Sequence, residues 1–219
     1  TQIPRGCFMS CSATGVRLPE GVEIGDLAFH DANLGEMNFD AISELGKKAF
    51  QFAQLPPLVD LSGANLTHIP AHCFSYSNIE KVHLPPGIQT LGKYAFAETE
   101  SLLDVDLRQT SIEVIPEFCF WMSKIQSIQF PRTLKKIQSN AFSHCGLEEV
   151  DLRGTQLTHL EGAFINCDSL WTVHLPETLE YQAGNEFHGC PINTQSSESS
   201  TDLTPVSTAS GLKYPPLRF

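Results

Sequence analysis

The chain has 219 residues, of which 41% are hydrophobic and 18% charged, so it has enough apolar material for a continuous core and lacks the composition of a disordered protein. Its 14 lysines and arginines face 25 aspartates and glutamates, and the formal net charge of −11 would repel a phosphate backbone, so we expect no nucleic-acid partner. No run approaches about 20 apolar residues, which predicts no membrane-spanning helix in this chain.

A phenylalanine recurs along the chain at intervals of 21 to 24 residues. The series is Phe8, Phe29, Phe50, Phe74, Phe96, Phe120, Phe142, Phe164 and Phe187. A fixed period of this length indicates that each repeat buries its apolar face against its neighbours, so the repeats stack into a solenoid. We predict eight to nine such repeats over residues 1–193.

Residues 194–219 are predicted to form a Ser/Thr-rich flexible tail with an apolar C-terminal tag. Either the whole tail is disordered, or the tag docks on the last repeat or on a partner. The choice between these two readings stays open.

Each repeat contains two predicted strands. The pattern Leu-x-x-Val-x-Leu follows each phenylalanine, and alternation along a strand points the Val and the last Leu inward and the residue between them to solvent. Clear copies occupy residues 79–84, 102–107, 125–130, 147–152 and 170–175. A second apolar anchor, usually five residues before the phenylalanine, predicts a short second strand leading into a turn of helix on the outer face.

Seven cysteines are an odd number, which argues against a closed disulfide framework. All seven fall at two positions where other repeats have small residues: Cys7, Cys73 and Cys119 just before a repeat phenylalanine, and Cys11, Cys145, Cys167 and Cys190 three residues after one. We therefore predict buried, reduced packing groups and no metal site. The last three lie on successive rungs about 4.8 Å apart, so a disulfide there is sterically allowed.

The consensus Leu-x-x-Val-x-Leu-Pro-x-x-Leu-x-x-Ile-Gly-x-x-Ala-Phe-x-x-Cys resembles the BspA-like, or Treponema pallidum-type, leucine-rich repeat. It can be read at Leu91-Gly92-Lys93-Tyr94-Ala95-Phe96, and Cys145 and Cys167 match the Cys of the family. The resemblance implies a right-handed leucine-rich-repeat solenoid with a parallel β-sheet on the concave face and short strands or helical turns on the outer face. It implies no catalytic residue and no cofactor. Such modules occur in surface adhesins and inside larger intracellular proteins.

The outward residues of the predicted strands form a polar stripe on the concave face. Eight of them are our candidate partner-binding residues: His83, Asp106, Asp151, His174, Lys81, Asp104, Glu149 and Asp60. Neighbours on adjacent strands lie about 5 Å apart, so we expect lateral Asp–His pairing along the stripe, at 60–83–106 and 151–174. The stripe is either a solvated polar face or a docking surface that responds to pH.

A second candidate patch consists of Tyr76, Tyr94, Phe118 and Trp121, which lie beside the buried phenylalanines on the outer side. These aromatics either tuck into their own turns or mark an interaction site. Asn65 begins an Asn-Leu-Thr sequon, which predicts N-glycosylation only if the chain is secreted.

These observations predict a non-enzymatic protein–protein interaction module, adhesin-like or a scaffold, that binds a protein partner through the concave face. The alternative is an intracellular structural subunit of a larger assembly that uses the outer aromatic patch. A glycan-binding or glycan-cleaving enzyme is a remote alternative, because Asp60 and Asp106 have a suitable spacing but an open sheet supplies no pocket.

The chain has no initiator methionine and enters in mid-repeat at Ile3, so we expect a fragment or a processed product. Its compartment is left open by the sequence. We expect the cell surface or secretion if a lost N-terminal segment carried a signal, and the cytoplasm otherwise.

Overall fold

The computed structural model describes residues 1–182 and 184–192, and the predicted tail lies outside the described residues. The described chain is a parallel-strand solenoid of about eight rungs, as the phenylalanine period predicts. Each rung contains two strands and a turn that carries the repeat phenylalanine. The two strands lie on two different sides of the solenoid, which we call the first side and the second side.

The strands alternate between the two sides, so that odd-numbered strands belong to one side and even-numbered strands to the other. The second side contains β1 (Gln2–Ile3), β3 (Val22–Ile24), β5 (Ile42–Leu45), β7 (His68–Ile69), β9 (Thr90–Leu91), β11 (Val114–Ile115), β13 (Lys136–Ile137), β15 (His159–Leu160) and β17 (Tyr181–Gln182). The first side contains β2 (Ser12–Val16), β4 (Asn33–Met37), β6 (Leu58–Asp60), β8 (Lys81–His83), β10 (Asp104–Asp106), β12 (Ser127–Gln129), β14 (Glu149–Asp151) and β16 (Thr172–His174).

Every strand pairing is parallel and joins one rung to the next. On the first side the paired groups are β2–β4, β6–β8–β10–β12 and β14–β16, and on the second side β1–β3–β5, β7–β9 and β11–β13–β15–β17. From β6 to β14 the first-side strands have the burial pattern exposed, buried, exposed, because only their central Val or Ile faces the core. The predicted alternation of inward and outward residues is confirmed.

The repeat phenylalanines form one continuous stack through the middle of the solenoid. Successive rings lie 5.1 to 5.6 Å apart from the second rung to the last and are nearly parallel. The seven rings from Phe29 to Phe164 are fully buried, whereas Phe8 in the first rung is 42% exposed. The ladder is therefore the core, since each interior ring packs between two others.

The turn around each phenylalanine adds a third ladder of hydrogen bonds. The Phe120 amide donates to the carbonyl of Ala141 in the next rung at 2.8 Å, and the Met122 amide donates to Ser143 at 2.9 Å. The intervening amide of Trp121 bonds within its own rung, to the carbonyl three residues earlier. The predicted helical turn thus takes the form of 3₁₀-type turns. Among the described residues the one helical segment is a short 3₁₀ helix at Phe39–Ala41.

The Gly of the repeat consensus is explained by close approach between rungs. A Cβ atom on Gly92 would lie 2.3 Å from the backbone nitrogen of Ala71 in the preceding rung, and Gly46 is equally close to Asp26. Any side chain at either position would collide with backbone, which cannot move aside within a packed stack. Glycine is therefore required here by rung packing and not by a turn conformation.

The cysteines lie at the predicted small-residue positions. Four of them are buried, namely Cys73, Cys119, Cys145 and Cys167. Two are half-buried, at positions 11 and 190, and the seventh is exposed in the first rung. Burial raises the pKa of Cys145 to about 12 and the pKa of Cys73 well above its usual range, so these thiols stay protonated. The prediction that the cysteines are mostly buried is confirmed.

Candidate functional site

The eight predicted partner-binding residues all lie on the exposed side of the first-side strands, which we call the front surface. They occupy two columns, one at the first residue and one at the last residue of β6 to β16. The column at the last residue contains Asp60, His83, Asp106, Gln129, Asp151 and His174. The surface is carried by two paired groups of strands, β6–β12 and β14–β16, which lie side by side.

The three aspartates at the last residues of their strands, Asp60, Asp106 and Asp151, close the turns that follow. Each carboxylate accepts the amide of the residue two positions ahead at 3.0 Å, which is Ser62, Arg108 or Arg153. In the last two cases the arginine side chain folds back onto the same carboxylate, with contacts of 2.7 and 2.8 Å. The aspartates are therefore partly structural, a role that Asp and Asn side chains often have in turns.

These contacts hold the pKa values of the three carboxyl groups below their usual range. Hydrogen bonds from Ser62 are the main cause at Asp60, and the hydrogen bond from the arginine side chain is the main cause at Asp106 and Asp151. A carboxyl group with a lowered pKa is ionised at neutral pH, so these three side chains act there as hydrogen-bond acceptors.

Both histidines of the front surface lie beside a carboxylate, but only one of them lies beside the aspartate that the sequence predicts. His83 Nδ1 lies 3.7 Å from Asp60 Oδ1 in the preceding rung. His174 is in register with Asp151, but its Nε2 atom approaches Glu149 Oε1 at 3.4 Å. Because Asp106 is bonded to an arginine, the predicted pairing of three side chains at 60–83–106 reduces to the contact between Asp60 and His83.

The remaining two predicted residues are in the column at the first residue of each strand. Lys81 and Asp104 are partners in the parallel register of β8 and β10, and both are exposed. The hydroxyl of Ser127 in the next rung donates to the Asp104 carboxylate. This column therefore mixes a cation, an anion and a hydroxyl at spacings fixed by the strands.

Three exposed apolar side chains at the beginnings of the front-surface strands were missed by the sequence reasoning. Trp171 is 56% exposed, Leu103 43% and Leu58 41%. Trp171 and Leu103 come just before β16 and β10, and Leu58 is the first residue of β6. A large apolar residue at a variable position of the repeat was the signal available in the sequence. Exposed tryptophan is a frequent anchor of protein interfaces.

The outer aromatic patch is a set of ring stacks between successive rungs. Phe52 and Tyr76 stack at 4.5 Å, and Tyr94 stacks on Phe118 at 4.8 Å. The ring of Trp121 meets Phe118 edge-on at 6.2 Å. The four predicted residues therefore fall into two ring groups: Tyr76 stacks with Phe52, which the sequence patch did not include, and Tyr94, Phe118 and Trp121 form the other.

The backbone of this patch is unusual. Tyr76, Tyr94 and Phe118 all have φ near +60°, and so do most residues two positions before or after a repeat phenylalanine. Left-handed backbone costs a residue other than Gly or Asn about 1–2 kcal/mol. Other rungs use Asn or Gly at the same positions, as at Asn140 and Gly162. That alternation of residue types was a sequence signal for the left-handed turns.

The structure offers no candidate metal centre in the part of the chain that it describes. Among residues 1–182 and 184–192, no group of three His, Cys, Asp or Glu side chains is placed to hold a metal ion. Two shallow grooves of about 280 and 370 Å³ run along the second side, lined in part by Gly46.

Asn65 of the sequon is exposed in the turn after β6. None of the described helical segments has the length and apolarity to cross a membrane.

Comparison with known proteins places the chain in a repeat family. The family model for the BspA-type leucine-rich repeat region matches six copies, over residues 1–120 and 106–206. No curated protein matches the chain.

Two solved structures are similar to this chain. A leucine-rich repeat protein from Bacteroides ovatus is 20% identical, with 87% of this chain and 62% of that protein covered and a TM-score of 0.47. A leucine-rich repeat protein from Eubacterium ventriosum is 13% identical, with 88% and 79% covered and a TM-score of 0.43. The chain spans less than two thirds of the Bacteroides protein. On the match to the family model, the chain belongs to the BspA-type leucine-rich repeat family.

Proposed function

We propose that this chain is a non-enzymatic interaction module that binds a protein partner through the front surface. The observation that carries the proposal is the exposed tryptophan on a rigid sheet: Trp171 is 56% exposed beside strand β16, whose outward residues are polar. A large apolar anchor surrounded by polar groups is the usual composition of an interface hot spot. Parallel pairing holds these groups in place before binding, so little conformational entropy is lost.

The charge of the front surface indicates the character of the partner. Carboxylates outnumber cations there, and two of the cations, Arg108 and Arg153, are neutralised by the aspartates of their own rungs. The expected partner therefore presents a basic surface with an apolar pocket for the indole ring. Association should weaken as salt is added, because exposed charges are screened within about 10 Å at 0.1 M ionic strength.

A comparison of matched variants tests the proposal. The front variant combines Lys81→Ala, Asp104→Ala and Trp171→Ala, which removes exposed side chains and none of the turn-closing aspartates. The outer variant combines Tyr94→Asn with Phe118→Asn, since Asn occupies the same left-handed position in another rung. Each immobilised protein is exposed to native lysate, and bound proteins are quantified by mass spectrometry.

We expect at least one protein that is bound by the wild type and the outer variant and lost from the front variant. Proteins lost only from the outer variant would contradict the proposal. Equal melting curves for the three proteins are the control for folding, which is needed because Tyr94 and Phe118 are half-buried and stacked on each other.

The outer aromatic patch is the second candidate site, with the chain then acting as a structural subunit of a larger assembly. The observation that favours it is the set of exposed aromatics at strained backbone positions, where Tyr76 and Phe52 are each about 41–42% exposed. Strain at exposed positions is often associated with function. However, the ring faces are stacked against one another, so that ring edges form much of the surface that a partner could contact.

A further inference from the structure

Three cysteines form a ladder at the C-terminal end of the described solenoid. Cys145, Cys167 and Cys190 occupy the same position of consecutive rungs, three residues after the repeat phenylalanine. Each thiol donates to the carbonyl of the phenylalanine of the preceding rung, at 3.0, 3.0 and 2.9 Å. The three side chains therefore have the same orientation and are displaced from one another by one rung.

The rung spacing suits a disulfide between two members of this ladder. The phenylalanine rings that mark the last two rungs, Phe164 and Phe187, lie 5.6 Å apart. Disulfides join residues whose Cα atoms are usually 4.4–6.8 Å apart, but their Cβ atoms must approach to about 3.5–4.5 Å. Closing the bond thus requires the last rung to move toward its neighbour. This rung packs against one neighbour only within the described residues.

The two cysteines at the end of the ladder differ in access and acidity. Cys190 is half-buried, whereas Cys167 is buried. Contact with the Cys167 thiol lowers the pKa of the Cys190 thiol, and the same contact together with burial raises the pKa of Cys167. The thiolate is the nucleophile in disulfide exchange, so the accessible thiol is also the more reactive one.

We propose that Cys190 is a redox-modification site and that Cys167 is its resolving partner, with a dialkyl disulfide such as oxidised glutathione as the oxidant. The Cys190 thiolate attacks one sulfur of the oxidant, a mixed disulfide forms, and one glutathione thiolate leaves. Cys167 passes its proton to the first departing glutathione thiolate and, as a thiolate, attacks the Cys190 sulfur; the second glutathione thiolate leaves and takes up the proton that Cys190 lost on ionisation. Overall, two protein thiols and one oxidised glutathione give one protein disulfide and two reduced glutathiones.

The product links the last two described rungs across a loop of 23 residues. Cys145 does not take part, because it is buried one rung further inside and its neighbour in the preceding rung is Ser123, at 3.4 Å. Oxidation is thus limited to the end of the solenoid. The stack of rungs that supports the front surface is unchanged up to β14.

The test uses the full chain with Cys7→Ser and Cys11→Ser, which removes the two other accessible thiols at positions where small residues are already present. The folded protein is treated with oxidised glutathione, alkylated, digested and analysed by mass spectrometry without reduction. We expect a cross-linked peptide pair that contains Cys167 and Cys190. Adding Cys190→Ser should slow thiol loss by at least about tenfold, since the remaining thiols are buried.

A matched control adds Cys145→Ser instead, and this variant should form the same cross-link at an unchanged rate. A stable glutathione adduct on Cys190 with no link to Cys167 would overturn the proposed resolving role. A cross-link that contains Cys145, or equal reactivity of the Cys190→Ser variant, would overturn the assignment of the reactive thiol.

Discussion

Replacing Phe120 by alanine tests whether the phenylalanine ladder is the core of the solenoid. The Phe120 ring is fully buried between Phe96, at 5.4 Å, and Phe142, at 5.2 Å. Its removal leaves a cavity on the order of 100 Å³, which costs about 2.4 kcal/mol at roughly 24 cal/mol per Å³. The lost transfer free energy of the ring adds about 2 kcal/mol. We therefore expect the free energy of unfolding to fall by about 4–5 kcal/mol.

Phe8→Ala is the matched control for the same chemical change. Phe8 is 42% exposed and stacks on one ring, Phe29, at 5.2 Å, so its removal opens the end of the stack and leaves no closed cavity. The expected loss is about 1–2 kcal/mol. Urea unfolding of the two variants gives the comparison. Amide hydrogen exchange should also show loosening in the rungs on both sides of Phe120, because repeats are stabilised by their nearest neighbours. Similar losses for the two variants, without this local loosening, would refute the reasoning.

Three further predictions concern individual contacts. Gly92→Ala should lower the free energy of unfolding by about 1–3 kcal/mol because its Cβ would overlap the preceding rung, whereas Gly87→Ala, with 3.1 Å to its nearest neighbour, should cost less; urea unfolding measures both. The lowered pKa of Asp106 means that its ionised form stabilises the fold above the unfolded-state pKa and that this contribution is lost as the pH falls through the folded-state pKa. The melting temperature of Asp106→Ala should therefore be lower than that of the wild type at pH 7, and the two should converge in acid. Asp106→Asn should melt between the two at pH 7, because its side-chain oxygen can still accept the turn hydrogen bond. A hydrogen bond to Glu98 raises the pKa of Tyr76 to about 12, so Glu98→Gln should lower the pKa seen in an ultraviolet titration of the phenols.

The architecture could be predicted from the sequence because each repeat has one buried face and the same residue types return to it. Burial of Val82, Val105 and Ile128 at the centres of successive strands follows from period-2 alternation. The identical register of the repeats also placed Asp60 beside His83. These features are set by backbone period and side-chain polarity, both of which are visible in one sequence.

The details of the candidate site depend on local geometry that the period does not determine. The sequence placed Asp106 and Asp151 outward, but whether each would pair with a histidine of a neighbouring rung or with an arginine two residues ahead depends on the turn conformation. The left-handed backbone at Tyr94 and Phe118 was not predicted, because aromatic residues rarely adopt it and only the Asn and Gly of other rungs indicate it. The exposure of Trp171 was missed because its position in the repeat has no fixed residue type.

The two tryptophans allow a direct test of the proposed binding surface, because the chain contains only two and one lies on each candidate surface. Trp171 belongs to the front surface and Trp121 to the outer aromatic patch. The measurement is the rate of hydroxyl-radical oxidation of each indole, followed by mass spectrometry, in the free chain and in its complex with a partner recovered by capture. The account predicts that binding protects Trp171 several-fold and leaves Trp121 unchanged. Protection of Trp121 with no change at Trp171 would contradict it.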